Sequence, residues 1–406
     1  MTTIVKNEFR THSCGELDAK KDKTTVSLCG WVNSRRDHGG LIFVDLRDYY
    51  GITQIVFDPK ISKESHQEAE KIRAEWCLKI KGRVRKRGKG LENPKLRTGQ
   101  IEVEVGELEI LSKSKTPPFE IKDDIEVNEE LRLKYRYLDI RRNKVKKNIQ
   151  FRAKVNYFTR QWFTKKGFLE VETPILSAPA PEGARDFLVP ARREPGKFFA
   201  LPQSPQIFKQ FLMYGGVDKY FQISPAFRDE ASRADRHVDV HYQLDVEMAF
   251  IKQEDLWRIY EEYLKALLKK FAPAKKLLAY PLPKLTHNEA FERFGSDKPD
   301  LRFNLELKTI TESAHKTDFN VFKKAEIVRV LRVPKSGKEA STPIFGEHRA
   351  FTNKEINFTR KEIDDLLKLV QSMGGAGLAW TKIKSDGKPD QGVAKFLTPE
   401  ILKDIG

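Results

Sequence analysis

The chain has 406 residues, 39% of them hydrophobic and 33% charged, with a formal net charge of +17. That length calls for about two to four domains, and the positive surplus favours a polyanionic partner, nucleic acid before a membrane surface. No apolar run approaches a bilayer span and residues 1–10 hold no apolar signal core, so a membrane-embedded or exported protein is disfavoured and a cytoplasmic one expected.

Residues 24–33 alternate, with Val26, Leu28, Gly30 and Val32 on one face, which predicts a strand. Residues 41–46 form a nearly continuous apolar strand, and residues 52–57 a third after a turn at Tyr50 and Gly51. Residues 62–76 are polar, with Ala69, Ile72 and Trp76 at helical spacing, and predict a helix. Alternation returns over 77–87 and 101–110. Five strands with a helix between the third and fourth suit an OB-fold barrel, an architecture that binds single-stranded nucleic acid. The 3 cysteines, Cys14, Cys29 and Cys77, form no C-x-x-C pair. They read as small buried hydrophobes rather than as a zinc site or disulfide framework.

Residues 113–143 are expected to be a linker and hinge, broken by Pro117 and Pro118. The stretch 132–142 supplies Arg132, Lys134, Arg136, Arg141 and Arg142. It reads either as a solvated basic helix or as a contact for a phosphate backbone. From residue 144, Val145, Ile149, Phe151, Val155, Phe158 and Trp162 recur at helical spacing, which predicts a core helix. Strands and helices then alternate to residue 303, as in a mixed α+β domain. A further segment, 304–406, holds expected strands near 327–333 and 378–383 and a helix over 359–373. The glycines at 374, 375 and 377 precede no Lys-Ser/Thr pair, so they read as a turn and not as a phosphate loop.

Three stretches carry chemistry. In PQSPQIFKQ, residues 202–210, Ser204 suits an N-cap and Pro205 a first helical position. Gln206 and Lys209 then share a face, an amide beside a cation. A capped surface helix with a solvated lysine is the plain alternative. FRDE at 227–230, followed by RADRH at 233–237, is a loop dense in both charges that could hold a phosphate and its metal. In the following strand, 243–250, Leu244, Val246, Met248 and Phe250 fall on one face, and Gln243, Asp245 and Glu247 on the other. Adjacent carboxylates need a cation or a metal to stay ionised.

Together these stretches resemble the class II aminoacyl-tRNA synthetases, and among them the aspartyl enzymes of bacterial type. The run from FRDE through RADRH to LDVEM is similar to the family's second motif, and GFLEVETP at 167–174 to its first, whose proline lies at a dimer interface. PEGARD at 181–186 and the stretch around Ser204 resemble the aspartate pocket. YRYLDIRR at 135–142 resembles the hinge, and FGSDKPDLR at 294–302 a stretch of bacterial members. The resemblance implies an α+β chain: an OB-fold anticodon-binding domain over 1–112, a linker over 113–143, an antiparallel-sheet catalytic domain over 144–303, and the start of a bacterial-type insertion (GAD) domain over 304–406.

It also implies roles. The carboxylate of L-aspartate would displace pyrophosphate from ATP, with Mg2+, to give aspartyl-adenylate, and the aspartyl group would then pass to tRNA(Asp). Arg228 would be the catalytic residue, gripping the α-phosphate and the aspartate carboxylate. Glu182, Ser204, Gln206, Lys209 and Asp245 would complete the aspartate site, with Glu182 on the α-ammonium and Gln206 and Lys209 on the side chain. Asp229, Glu230, His237 and His241 would join Arg228 around the nucleotide, although His241 and Tyr242 both compete for the place that stacks on adenine. Arg36, Phe43 and Gln54 match positions that contact anticodon bases; for Phe43 a place in the strand core is the alternative. His38 and Gly90 resemble the relaxed type, which also charges tRNA(Asn) for an amidotransferase. A homodimer is expected.

No metal ligand is assigned. The family's glycine-rich third motif, with its arginine, is not found, so the chain is expected to stop inside the insertion domain and to be inactive as it stands. The alternatives are a non-catalytic tRNA-binding fragment and a sister synthetase for asparagine or lysine, which Gln206 and Lys209 argue against.

Overall fold

The computed structural model describes residues 4–180, 182–231, 238–301, 305–333 and 358–405. They fall into two compact units, Met1–Tyr157 and Phe158–Gly406.

The first unit is built on a closed barrel. Its strands are β1 (Thr25–His38), β2 (Leu41–Arg47), β3 (Ile52–Phe57), β4 (Cys77–Lys86) and β5 (Ile101–Ser112), in the order β1-β2-β3-β5-β4. Only β3 and β5 run parallel. Alternate residues of each strand fill the interior, among them Val26, Leu28, Val44, Ile55, Ile80 and Val103, as the period of two demands. Gly30 is required at its place: a Cβ there would lie 2.6 Å from the Arg47 carbonyl oxygen of β2. Gly39 and Gly40, both at positive φ, make the tight β1–β2 turn that side chains resist. These strands follow the sequence expectation, and β1 runs on to His38. Cys14 is buried as expected, while Cys29 and Cys77 are only half-buried.

The expected helix over 62–76 is shorter. The helix α1 (Lys63–Ala69), capped by the Ser62 hydroxyl, stops at Ala69. The cause lies in the barrel. Val32 donates to the Trp76 carbonyl at 2.9 Å, and Glu75 donates to the Val32 carbonyl at 2.8 Å, beside an irregularity in the β1–β2 register. That pairing takes the chain out of the helix, and Ile72 still reaches the core.

The basic stretch 132–142 forms two short helices, α2 (Glu129–Lys134) and α3 (Arg136–Asp139), and its cations are mostly spoken for. The Asp139 carboxylate is fully buried between Arg136 at 2.5 Å and Arg142 at 2.9 Å. Arg141 donates to Glu75 at 2.6 Å and lies over the Trp31 ring. Arg47 donates to both Glu75 oxygens at 2.7 Å. Arg136, Arg141 and Arg142 are therefore tied by ion pairs within this unit, Arg136 with half of its side chain still exposed.

The helix α4 (Asn143–Lys165) begins in this unit and ends in the second. The apolar spacing predicts a core helix throughout, but only its C-terminal part is one. Phe163 is fully buried, whereas Ile149 and Phe151 are 49% and 52% exposed. The buried end packs on the second unit's sheet.

That sheet has the order β10-β9-β6, from β6 (Leu169–Glu170), β9 (Lys219–Phe227) and β10 (Val240–Met248). A hairpin of β7 (Leu188–Pro190) and β8 (Phe198–Ala200) and the helix α5 (Gln206–Tyr214) precede β9. Phe221 and Val246, on the sheet's apolar face, join Phe163 and Tyr263 in one core. Phe163 stacks on Phe221 at 5.2 Å. Tyr263 comes from helix α6 (Gln253–Phe271), so α4 and α6 cover this face and leave the opposite face for polar residues. The helix α7 (His287–Phe294) follows, with a Thr286–Glu289 capping box and Gly295 at positive φ. Beyond residue 305 a small core gathers Ile310, Ala314, Val328, Ile401 and Ile405. The strand Arg329–Leu331 and the helix Arg360–Ser372 fall where the sequence predicts them.

Candidate active site and barrel face

The polar face of the sheet is the floor of the site. In β10, His241, Gln243, Asp245 and Glu247 lie opposite Ala226, Ser224, Gln222 and Tyr220 of β9, and alternation sets all of them on the side away from Phe221 and Val246. The ladder continues past the strand end, since Arg228 N donates to the Asp239 carbonyl at 2.8 Å. The same alternation carries Arg228 onto this face. It also puts His241 here and Tyr242 on the other side. Gln222, the cross-strand partner of Asp245, accepts from Tyr220 at 2.7 Å and from Thr173 at 3.1 Å, which fixes the floor beside Asp245.

Lys209 enters from α5. Its ammonium lies 3.0 Å from Asp245 and 3.1 Å from Glu247, with little of the side chain exposed. Burial pulls the Lys209 pKa down, but the two carboxylates more than offset this and hold it above the usual ammonium value. Burial pushes the Asp245 carboxyl above the ordinary range; Lys209 opposes that, while Glu247 and Glu182 add to it. The arrangement is one cation among several carboxylates, with an excess of negative charge suited to a ligand's ammonium. Gln206, exposed at the start of α5, makes no side-chain hydrogen bond among the described residues. The Ser204 hydroxyl accepts from Gln206 N at 3.2 Å in the way an N-cap does, although the helix boundary falls at Pro205.

The loop 182–186 forms the wall. Ser204 donates to Glu182 Oε2 at 2.6 Å. Glu182 Oε1 is buried with no hydrogen-bond partner among the described residues, a costly state that a cationic ligand would relieve. Arg185 and Asp229 exchange bonds: Asp229 N donates to the Arg185 carbonyl at 3.0 Å, and Arg185 Nε to the Asp229 carbonyl at 3.1 Å. This joins the wall to the FRDE loop. A small pocket opens among Ser177, Ala180, Glu182, Asp186, Gln203 and Ser204. The structure thus brings Glu182, Ser204, Lys209 and Asp245 together, next to a loop that carries Arg228, Asp229 and Glu230. His237 and Pro181 lie outside the described residues. Gln203 and Gln222 belong to the site and were not singled out by the sequence, whereas Glu247 was noted as one of the adjacent carboxylates of the strand and meets its cation in Lys209.

On the barrel, Arg36 and Phe43 are cross-strand partners. Phe43 is absent from the barrel interior and sits on the outer face, so the core alternative for it does not hold. Arg36 donates to Gln54 at 2.9 Å, and Gln54 in turn to Glu102 at 2.8 Å. Glu102 also accepts from Arg85 at 2.7 Å. Gln54 and Glu102 are buried, so this network steadies Arg36, whose side chain is 58% exposed, with the Phe43 ring beside it. His38 ends β1 at the Gly39–Gly40 turn, and Gly90 occupies a second exposed turn at positive φ.

The chain matches the tRNA synthetases class II (D, K and N) over residues 128–373, an OB-fold nucleic acid binding domain over 26–111, and a GAD domain over 346–406. It belongs to the class II tRNA synthetases. Within that class, the Aspartate--tRNA(Asp/Asn) ligase of Desulfatibacillum aliphaticivorans is 45% identical over 401 residues, covering 98% of this chain and 64% of that protein. The ligase of the same name from Protochlamydia amoebophila is 47% identical over 406 residues, covering 100% and 65%. The chain spans just under two thirds of the length of these relatives. Among solved structures, an asparaginyl-tRNA synthetase from Pyrococcus horikoshii complexed with asparaginyl-adenylate aligns at TM-score 0.57 and 28% identity, covering 64% of this chain and 58% of that one. An aspartyl tRNA synthetase from Entamoeba histolytica shares the fold at TM-score 0.54 and 23% identity, covering 69% and 61%.

Proposed function

We propose that the protein is an aspartate–tRNA ligase that activates L-aspartate with ATP and charges tRNA(Asp). The observation that carries this reading is the half-buried constellation of Glu182, Ser204, Lys209, Asp245 and Glu247, on the sheet face onto which strand alternation also carries Arg228. An α-carboxylate oxygen of aspartate attacks the α-phosphorus of ATP; the bond to the β,γ-phosphates breaks, and pyrophosphate leaves with the electron pair. Arg228 stabilises the charge on the α-phosphate. Glu182 and Asp245 take the ammonium, and Gln206 and Lys209 read the side-chain carboxylate. His241, on the same face, supplies a ring for adenine. Mg2+ enters with ATP as its counter-ion, and no described residue is assigned as its ligand. The ribose hydroxyl of the tRNA 3′ end then attacks the anhydride carbonyl, and AMP leaves.

The names of the relatives, with His38 and Gly90, support tRNA(Asn) as a second acceptor. The exposed Leu169, Ile175 and Leu176 around the first motif support a homodimer. The test is aspartate-dependent exchange of pyrophosphate into ATP by the protein expressed from its complete reading frame. Exchange is expected, and Arg228→Ala should lower its kcat by about 10²–10³. Tight tRNA binding without any exchange would instead make the protein a non-catalytic tRNA-binding one.

A further inference from the structure

We infer that Gln203 is a positioning residue that latches the loop 182–186 and thereby sets where Glu182 stands. This rests on the reading of the pocket as an aspartate site. Gln203 is 2% exposed and spends its whole amide on that loop. Its Oε1 accepts from Ala184 N at 2.9 Å. Its Nε2 donates to the Ala184 carbonyl at 2.9 Å and to Asp186 Oδ1 at 2.6 Å.

Only a primary amide of this length serves. A carboxylate has the acceptor but no donor, and it would oppose the Asp186 charge. An aliphatic side chain would leave Ala184 N, the Ala184 carbonyl and Asp186 without their partner. Asparagine is one methylene short of the loop.

The loop has no strand or helix of its own, and Gly183 within it sits at φ +98°. Its geometry is therefore set by its ties. Gln203 grips its centre, Ser204 holds Glu182 Oε2, and Arg185 is tied to Asp229. Consecutive residues at the foot of α5 thus fix the wall that faces Lys209 and Asp245. With Glu182 Oε2 taken by Ser204, its Oε1 is buried with no hydrogen-bond partner among the described residues, ready for an ammonium. With its amide committed to the loop, Gln203 acts through Glu182.

The test uses Gln203→Leu and Gln203→Glu in the protein expressed from its complete reading frame. In pyrophosphate exchange, Gln203→Leu should raise the KM for aspartate about tenfold or more and leave the KM for ATP within about twofold. Gln203→Glu should do the same at high pH and recover towards wild type as the pH falls, because protonating the introduced carboxyl restores a donor towards Asp186. An unchanged aspartate KM would overturn the inference, as would equal loss for both substrates with no recovery on acidification. Hydrogen exchange at the Ala184 amide is read in parallel and needs no substrate. Protection in wild type that is lost in Gln203→Leu is expected, and equal exchange would overturn the latch. A wild-type protein that protects Ala184 but gives no aspartate-dependent exchange would refute the aspartate reading alone.

Discussion

Asp245 shows how a single residue carries the logic of the pocket. Its carboxyl is raised first by burial; Lys209 lowers it, and Glu247 and Glu182 raise it further. The folded pKa is therefore above the unfolded one. The stabilising contribution of the protonated form is fully present below the ordinary aspartate value of about 3.9 and is lost as the pH rises through the raised value. At neutral pH the ionised carboxylate is a burden on stability, which a bound ammonium offsets. Aspartate affinity should then weaken on acidification at a pH above the ordinary carboxylate range. Asp245→Asn should weaken binding at neutral pH and flatten that dependence. A KM for aspartate whose pH profile is the same in wild type and variant would rule this out. The residue types of the site, Glu182, Ser204, Lys209 and Asp245, were legible from their motifs. Gln203 was not, because a buried amide has no periodicity and its partner loop lies some way back along the chain.

The same contrast holds for whole elements. β2 and β3 were legible almost to the residue, since each is a short, largely apolar run and a turn at Tyr50 and Gly51 separates them. α1 was overextended because its last turn is recruited by Val32, and α4 was read as core along its length because spacing does not say what covers a face. The pairing within the basic stretch was not legible for a related reason: Arg141 finds its partner Glu75 at a separation of 66 residues. That clasp carries its own prediction. Glu75 is nearly fully buried and holds Arg47 and Arg141 at once. Glu75→Gln keeps the volume and removes the charge, leaving the buried Arg47 guanidinium uncompensated, at a cost of about 3–5 kcal/mol. Hydrogen exchange at amides of β2 and β4 should accelerate accordingly. Unaltered protection there would mean that the clasp contributes little.

At the scale of the whole molecule, a net charge of +17 should draw in a polyanion, yet charge alone does not separate attraction from recognition. The barrel face offers a way to test the difference. Arg36 has a side chain 58% exposed, steadied by Gln54 at 2.9 Å and Asp45 at 3.8 Å, while Phe43 beside it offers a ring. A phosphate contact releases a counter-ion, so the logarithm of affinity falls with the logarithm of salt by about 0.7–0.9 per phosphate neutralised. A base stacked on a ring releases none, though it is worth about 1–3 kcal/mol. Phe43→Ala should therefore weaken binding of tRNA(Asp) by a similar factor at every salt concentration, leaving the slope intact. Arg36→Ala separates two uses of one guanidinium. A slope reduced by about one unit assigns it to a phosphate, and a parallel downward shift assigns it to a base edge. Binding curves measured across a salt series for wild type and both variants read this directly. If Phe43→Ala bound like wild type throughout, the outer face of the barrel would not be where the anticodon sits, and the excess of charge elsewhere on the molecule would have to account for the affinity.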